Sequence, residues 1–248
     1  MLGKMVLDDS LLVVYENAKQ SKKFKLLMRR FSHPYATNWR QWNDATNIGL
    51  NIPSHTQTLA QLAQRPEKND DLVTLASKTT FKIILTEDEN KLFPYVYYKS
   101  KMVTKSIIFS LSSTDSRQAL VTYLQMMCAN ANKITICDNY FAQNWEVTKA
   151  LFYQVLPRQE LLIEYAEAAA GIDVTRNSEN ITNDFLHSIC KSWSTKLTNL
   201  PKYSNCHDRY LLIESQGSKI EVMLSSGFDH IWKINPKEIT CIFSEVVE

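Results

Sequence analysis

Glycine is scarce in this 248-residue chain, and its five occurrences are isolated from one another. A dinucleotide-binding turn or a Walker-type phosphate loop needs several closely spaced glycines, because the backbone must approach the phosphates. No two glycines here stand close enough to form either motif. The sequence therefore excludes the common glycine-rich nucleotide sites, and it predicts no bound cofactor.

Cysteine is also sparse, with five residues and no C-x-x-C spacing. Zinc ribbons need closely spaced ligand pairs, and disulfide frameworks are typical of small secreted proteins with an even number of cysteines. The five cysteines stand in apolar surroundings, where a small buried side chain is the simpler interpretation. The sequence therefore predicts no metal site and no disulfide framework.

Long apolar runs are missing as well. No stretch approaches the roughly 18 to 20 apolar residues that cross a bilayer. The first ten residues, MLGKMVLDDS, contain acids where a secretion signal has its apolar stretch. With 44% hydrophobic and 22% charged residues, the chain nevertheless has the composition of a folded protein. We expect a cytoplasmic globular protein.

Charge is nearly balanced overall, with 28 lysines and arginines against 26 acids, but it is unevenly distributed. Residues 1–132 carry 17 bases and 11 acids, a net charge of +6, whereas residues 133–248 carry 11 bases and 15 acids, a net charge of −4. This asymmetry predicts two parts with different surfaces. We place the boundary near residue 100, which gives a smaller basic α+β region over 1–100 and a larger domain over 101–248.

The densest basic stretch follows a helical pattern. Apolar residues recur at helical spacing from Leu11 to Ala18, and Asp8, Asp9 and Ser10 supply the acids and the cap that a helix N-terminus favours. Six bases follow within twelve residues, Lys19, Lys22, Lys23, Lys25, Arg29 and Arg30. We predict one basic, partly amphipathic helix. It is either a solvated face over the core or a surface for a nucleic acid, an anionic membrane or an acidic protein partner.

One further helix and three strands are predicted from the pattern of the N-terminal part and the boundary. Residues 54–65 predict a short helix that ends before Pro66. Segments rich in β-branched and aromatic residues predict strands over Thr80 to Thr86, Phe93 to Tyr98 and Lys105 to Leu111. We expect the first two strands to form a hairpin across the polar loop EDENK.

The C-terminal part alternates strands and helices. Five segments predict strands: Lys133 to Cys137, Leu161 to Tyr165, Arg209 to Ile213, Ile220 to Leu224 and Ile239 to Phe243. Helices are predicted over about 119–128 and 144–156, and a third, capped by Thr182, is expected to continue through Trp193 and Leu197. This alternation predicts an α/β fold with a mostly parallel sheet covered by helices.

The closing strands hold the residues best suited to chemistry, in CHDRYLLIES and the later turn SSGFD. His207, Arg209 and Glu214 stand at the spacing H-x-R-x-x-x-x-E, and Ser225 and Ser226 occupy the turn after the next strand. Alternate residues of a strand point the same way. We therefore expect His207 and Arg209 to project together at one end of the sheet, where a phosphate can meet both.

Asp138 ends an earlier strand, where open α/β sheets gather ligands. It is either part of the same site or a cap on the following helix. A structural alternative is that His207 and Arg209 pair with Asp138 or Asp208 and merely close the end of the sheet. His230, near the turn, either approaches His207 or is a structural residue, which is the more common case for a lone histidine.

The spacing resembles the phospholipase D superfamily motif H-x-K-x-x-x-x-D. More narrowly, residues 133–243 resemble the C-terminal, phospholipase D-like domain of MIT-domain proteins of the cell-abscission machinery. In that family the first strand ends in D-P-Y, a later strand opens with H-D-R, and a turn G-x-G-L-D follows. The matching residues here are Asp138, Asn139 and Tyr140, then His207, Asp208 and Arg209, then Ser225, Ser226, Gly227, Phe228 and Asp229. Asn139 departs from a proline and Ser225 from a glycine.

The resemblance implies a phospholipase D-like mixed sheet flanked by helices, and it implies one of two functions. In catalytic members the motif histidine is the nucleophile and two copies of the motif are needed. The single copy here would require a homodimer that pairs two His207 side chains, giving a metal-independent phosphodiesterase or nuclease with Arg209 and Glu214 as further catalytic residues. The MIT-type lineage instead kept the fold and binds acidic phospholipid headgroups without known turnover.

Two departures favour binding over catalysis. Arg209 replaces the motif lysine and still clamps a phosphate. Glu214 replaces aspartate and reaches about 1.5 Å further, whereas a misplacement near 1 Å costs on the order of a hundredfold in rate.

We therefore expect a non-catalytic or degenerate phospholipase D-like module that recognises phosphate-bearing ligands or assembles a larger complex. The expected ligand-binding residues are His207, Arg209, Asp138, Ser225 and Ser226. Degenerate domains of this likeness also occur in prokaryotic genome-defence complexes, so the resemblance further implies an accessory subunit of an antiviral system with a protein partner. The alternative is the homodimeric phosphodiesterase.

Overall fold

The computed structural model of the chain describes residues 3–30, 35–167, 175–204 and 208–246. The chain divides into two compact units, Met1–Lys105 and Ser106–Glu248. Each unit has its own β-sheet. No helix within these described ranges is long and apolar enough to cross a membrane.

The first unit is built on a parallel sheet with the strand order β2-β1-β3-β4. Its described strands are β1 (Met5–Leu7), β2 (Tyr35–Ala36), β3 (Ile84–Thr86) and β4 (Tyr95–Tyr97). Val6 and Ile84 of the central strands pack with Leu75 and Ala76 in one buried cluster. Burial of these apolar side chains fixes the helix that carries Leu75 on the sheet.

The predicted hairpin between β3 and β4 is wrong, because the two strands pair in parallel, with Ile84 opposite Tyr95. Each strand has only three residues, so it spans no more than about 10 Å. The polar segment 87–94 is long enough to return across that distance, since an extended chain covers about 3.3 Å per residue. This segment therefore acts as a crossover between parallel strands.

The described helices of the first unit are α1 (Asp9–Asn17), α2 (Lys22–Arg30), α3 (Trp39–Asn47), α4 (His55–Leu62) and α5 (Leu72–Ser77). The expected N-terminal cap is confirmed, because the Asp8 side chain accepts a hydrogen bond from the backbone N–H of Leu11 at 2.9 Å. The helix predicted over 54–65 is confirmed as α4.

The single basic helix expected from the sequence is wrong, because the segment forms two helices, α1 and α2. Asn17, the last residue of α1, donates from Nδ2 to the carbonyl of Gly49 at 2.6 Å and accepts the N–H of Asn51 at 3.0 Å. Ser21 then accepts the N–H of Phe24 at 3.0 Å and so starts a new helix. These local bonds outweigh the continuous helical pattern.

The second unit contains a seven-stranded mixed sheet with the order β5-β11-β10-β9-β6-β7-β8. Its strands are β5 (Ile107–Leu111), β6 (Ala131–Cys137), β7 (Leu161–Tyr165), β8 (Trp193–Leu197), β9 (Arg209–Ser215), β10 (Ser218–Leu224) and β11 (Ile239–Glu245). Strands β6, β7 and β8 are parallel, and the other pairings are antiparallel. The six strands predicted for this sheet are confirmed. The expectation of a mostly parallel sheet is wrong, because two of the six described pairings are parallel and four are antiparallel.

The helix predicted from Thr182 through Leu197 is too long. Thr182 does cap a helix, since its side chain accepts the N–H of Phe185, but α9 (Asn183–Ile189) ends before Trp193. The segment beyond it is β8, which pairs in parallel with β7 and buries the Trp193 ring. The spacing of the apolar residues in this segment is compatible with a helix. The segment forms a strand instead, because it hydrogen-bonds to the open edge of β7.

Further helical elements connect the strands of the second unit. The remaining described helical elements are α6 (Gln118–Cys128), a 3-10 turn (Phe141–Asn144), α7 (Trp145–Thr148), a π-helical turn (Leu151–Val155), α8 (Asn177–Asn180), α10 (Pro201–Ser204) and a 3-10 turn (Phe228–Ile231). The Phe141 ring lies 5.4 Å from that of Phe228 and 6.1 Å from that of Phe152, centroid to centroid. These edge-to-face contacts hold the turn after β6 against the turn after β10.

Candidate functional site

Asp138 and Arg209 meet at one end of the seven-stranded sheet. Asp138 directly follows β6 and Arg209 opens β9, and these antiparallel strands place Cys137 opposite Tyr210. The register brings the Asp138 Oδ1 atom to 3.8 Å from Nε of Arg209. The Asp138 side chain is only 3% exposed, whereas Arg209 keeps 26%. The pair therefore combines a buried acid with a guanidinium that reaches solvent.

The environment of Asp138 changes its acidity. Burial is the main cause that raises the pKa of Asp138 to about 6, and the nearby Asp229 carboxylate acts in the same direction. Hydrogen bonds from the backbone N–H groups of Tyr140, at 2.9 Å, and Phe228, together with the charge of Arg209, lower the pKa but do not cancel the effect of burial. Asp138 therefore takes up a proton near pH 6, and its attraction for Arg209 weakens below that pH.

The turn after β10 supplies a second acid and cation pair. Asp229 is 4% exposed and forms an ion pair with Lys233, whose side chain is 34% exposed. A Cβ atom at Gly227 would overlap the Asp229 carboxylate. Glycine is therefore needed at position 227 so that the buried carboxylate can fold back over the turn and hold Lys233.

His230 lies on the same turn, between the two halves of this ion pair in sequence. Its Nδ1 atom accepts the backbone N–H of Lys237 at 3.1 Å. Burial is the main cause that lowers the pKa of His230 below its ordinary value of 6.5. The imidazole is therefore neutral at neutral pH.

These groups line one pocket of about 330 Å³. Its lining residues are Asp138, Tyr140, Gln143, Asn144, Thr148, Arg209, Gly227, Asp229, His230 and Lys233. The two cations formally balance the two acids, but the acids are buried and the cations are not. A ligand in the pocket therefore meets positive charge and N–H donors first, an arrangement suited to binding an anion.

The structure does not bring Glu214 to this pocket. Glu214 stands five residues along β9 from Arg209, which is about 17 Å of strand. It lies opposite Lys133 in the sheet register, and its Oε1 is 3.0 Å from Nζ of Lys133 and 3.5 Å from Nζ of Lys219. The odd spacing also puts Glu214 and Arg209 on opposite faces of the sheet. The catalytic grouping of these two residues is therefore not formed within the chain.

The two serines of the turn bond to β11 and its approach. Ser225 accepts the N–H of Thr240 at 2.9 Å through its hydroxyl, and Ser226 donates its hydroxyl to the carbonyl of Glu238 at 3.1 Å. Neither residue lines the pocket. These hydroxyls stabilise the sheet end, and the ligand-binding role expected for them is not supported by their positions. His207, the first residue of the motif, lies outside the described residues.

The basic stretch of the first unit separates into residues with different roles. Lys23 forms an ion pair with Glu87, and Lys19 lies 3.8 Å from Glu16. Lys22 and Lys25 are exposed, three residues apart on one face of α2. Arg29 and Arg30 belong to α2, but their side chains lie outside the described part of the structure.

Two residues of the site were not identified from the sequence. Asn177 is fully buried, donates from Nδ2 to the carbonyls of Asp138 and Ala166, each at 2.8 Å, and accepts the N–H of Ala142 at 2.9 Å. It thereby joins the ends of β6 and β7 to the turn after β6, and no local pattern indicates this. The ion pair of Lys233 could have been predicted from the sequence, because Lys233 follows Asp229 at the i,i+4 spacing of helical ion pairs.

Among the described residues, no group of three or more histidine, cysteine, aspartate or glutamate side chains is arranged to hold a metal ion. Comparison of the sequence with protein-family models and with curated proteins found no match.

Proposed function

We propose that the second unit is a phospholipase D-like module that binds a phosphate-bearing anion in the pocket of Arg209 and does not turn it over. The observation that carries this proposal is the pair of cations, Arg209 and Lys233, that line one pocket and are each held by a buried carboxylate. A cation fixed before the ligand arrives loses less side-chain entropy on binding. Such preorganisation favours recognition of an anion.

The chemistry of the two cations fits phosphate. A guanidinium and an ammonium are the side chains that most often bind phosphoryl oxygens, through charge-assisted hydrogen bonds. Asp138 competes with the ligand for Arg209 when it is ionised, and its pKa of about 6 means that this competition declines in mild acid. We therefore expect anion affinity to rise as the pH falls through 6.

The position of Glu214 shows whether this acid can act at the pocket. A general acid or base must lie within about 3 Å of the group whose proton it moves. Glu214 lies about 17 Å of strand away from Arg209 and is paired with Lys133 and Lys219. Glu214 therefore takes no part in proton transfer at the pocket. The motif spacing sets this separation in any strand, so the proposed absence of turnover rests on Arg209 in place of the motif lysine.

A wider role follows from the resemblance alone. A mixed sheet with a phosphate-binding edge suits an accessory subunit that joins a phosphate-bearing ligand to a protein partner, as in prokaryotic genome-defence complexes. The two contacts would be separate, so the loss of anion binding in Arg209→Gln should leave assembly with the partner intact.

Calorimetric titration with sulfate, whose charge is constant across the pH range used, tests the binding proposal. We expect Arg209→Gln and Lys233→Gln each to weaken sulfate binding by about tenfold or more, the effect of losing a hydrogen bond to a charged group. Lys196→Gln, on the exposed part of β8 and outside the pocket, is the control and should bind as the wild type does. Equal affinities for all four proteins would contradict the proposal.

Hydrolysis of bis-p-nitrophenyl phosphate without added metal tests the enzymatic alternative. We expect no turnover by the wild type. Turnover that His207→Ala abolishes, in a protein that still unfolds cooperatively, would instead establish the phosphodiesterase with His207 as nucleophile.

We also propose that the exposed face of α2, defined by Lys22 and Lys25, is a second contact surface and binds nucleic acid. No ion pair of either lysine is found among the described residues, and both are exposed. Salt-dependent binding to a DNA duplex tests this surface. The double variant Lys22→Gln with Lys25→Gln should flatten the salt slope by about two, one for each lost phosphate contact.

Lys101→Gln, another exposed lysine of the first unit, is the control and should keep the wild-type slope. Binding to anionic liposomes without binding to DNA would replace the nucleic-acid proposal with a membrane surface.

A further inference from the structure

His230 occupies a fixed position at the rim of the pocket. It lies on the 3-10 turn Phe228–Ile231, and its backbone N–H donates to the carbonyl of Gly227 at 3.0 Å. Its side chain is partly buried and lines the same pocket as Arg209 and Lys233. His230 therefore shares the pocket with the two cations, and its backbone is held by its own turn.

A hydrogen bond from the backbone determines which ring nitrogen of His230 carries the proton. Nδ1 accepts the N–H of Lys237 at 3.1 Å, so Nδ1 carries no proton. The proton of the neutral ring must then be on Nε2. No described residue accepts a hydrogen bond from this Nε2–H. His230, which lines the pocket, therefore has a neutral N–H donor with no acceptor among the described residues.

Burial and the nearby cations keep the ring neutral. Burial is the first cause of its lowered pKa, Asp229 opposes it, and the charges of Lys233, Lys237 and Arg117 lower the pKa further. At neutral pH the ring therefore contributes a donor and no charge. Arg209 and Lys233 each attract one oxygen of an anionic ligand, and the His230 donor needs a further one. The pocket therefore favours an anion that has several oxygens pointing in different directions.

We propose that His230 is a ligand-binding, specificity-determining residue whose Nε2–H donates to one oxygen of a tetrahedral oxyanion that Arg209 and Lys233 attract. This inference rests on the proposed function of the pocket and deepens it. It predicts three donors from separate positions, Arg209 at the start of β9 and two residues of the segment after β10. Sulfate and inorganic phosphate share the chemistry required.

Two substitutions distinguish ligand binding from a structural role of the ring. A glutamine at position 230 places its amide N–H near the position of Nε2, whereas an asparagine places its oxygen near Nδ1 and keeps the bond from Lys237. If the ring binds the ligand, His230→Gln should keep most of the sulfate affinity, and His230→Asn should lose about tenfold or more. If the ring is only structural, the order reverses, and that result would overturn the proposal.

The pH dependence separates a neutral donor from a charged one. The deficit of His230→Asn relative to the wild type should persist at pH 7.5 and above, because the active form of the ring is neutral. A deficit that appears only in acid would mean that a charged imidazolium attracts the anion, and it would overturn the proposal.

Nitrogen NMR of the wild type provides a test that does not depend on how the variants fold. With ¹⁵N-labelled histidine, we expect the His230 signals of the Nε2–H tautomer and a saturable shift of the Nε2 resonance during a sulfate titration. A titration in which Arg209→Gln weakens binding but the His230 resonance does not move contradicts this inference alone. A wild type that binds neither sulfate nor phosphate contradicts the proposed function itself.

Discussion

Asp138→Asn removes one carboxylate from the sheet end and keeps its shape. The pKa of Asp138 is about 6 in the fold, against an ordinary value of 3.8. At about 1.36 kcal/mol for each pKa unit, this difference corresponds to about 3 kcal/mol. The folded protein binds the proton more tightly than the unfolded chain does, so the free energy of unfolding falls as the pH rises from 3.8 through 6. Above pH 6 this contribution of about 3 kcal/mol to the free energy of unfolding is fully lost.

Chemical denaturation between pH 3.5 and 7.5 measures this effect. The wild type should lose about 3 kcal/mol more than Asp138→Asn across the window, since the amide has no proton to release. The amide oxygen can still accept the N–H of Tyr140, so the variant keeps the local hydrogen bond. Asp184→Asn, an exposed carboxylate in the first turn of α9, is the matched control and should follow the wild-type profile. Parallel profiles for wild type and Asp138→Asn would refute the assigned burial of this acid.

Three further substitutions address other parts of the site. Asn177→Ala leaves the N–H of Ala142 and the carbonyl of Ala166 without this partner, at about 1 to 3 kcal/mol each, whereas the Asp138 carbonyl keeps the N–H of Phe141 at 3.3 Å. Its urea midpoint should fall by the equivalent of at least about 2 kcal/mol. Gly227→Ala forces a methyl group against the carboxylate of Asp229, and calorimetric melting should register a loss of about 1 to 3 kcal/mol together with weaker sulfate binding. Glu214→Gln should leave the sulfate affinity unchanged in the same titration, because Glu214 lies at the other end of β9; a loss there would contradict the sheet register.

Most strands of the second unit could be predicted because their sequences leave few alternatives. The segments that became β6, β7, β9, β10 and β11 combine β-branched residues with polar boundaries, and each is confirmed. Thr182 was likewise identified as a cap, since its side chain acts locally. Local chemistry of this kind can be recognised without knowing the fold.

The errors come from interactions that no short window contains. Trp193 fitted a helical stripe, and only the free edge of β7 makes it the start of β8. Asn17 ended a helix because it bonds to a distant loop at Gly49. The direction of pairing between β3 and β4 likewise depends on how the intervening loop returns.

Of the residues at the site, Asp138 and Arg209 were correctly expected to lie close together, whereas Glu214 was not correctly placed. Asp138 follows β6 and Arg209 opens β9, and they meet because these two strands are antiparallel. Their grouping was expected from the family resemblance, since a mostly parallel sheet would not place them at the same edge. Glu214 was grouped with Arg209 by motif spacing alone, and strand geometry separates them. Asn177 acts through backbone groups of three segments, and its role depends entirely on the tertiary fold.

The most direct test of the binding pocket is the arginine Nε–H resonance of Arg209 during a sulfate titration at pH 5.5, where Asp138 is largely protonated. We expect this resonance to shift saturably with the same dissociation constant that calorimetry gives, while the exposed α2 lysines, Lys22 and Lys25, respond weakly and without saturation. Saturable binding that leaves Arg209 unmoved would place the anion elsewhere and contradict the assigned site.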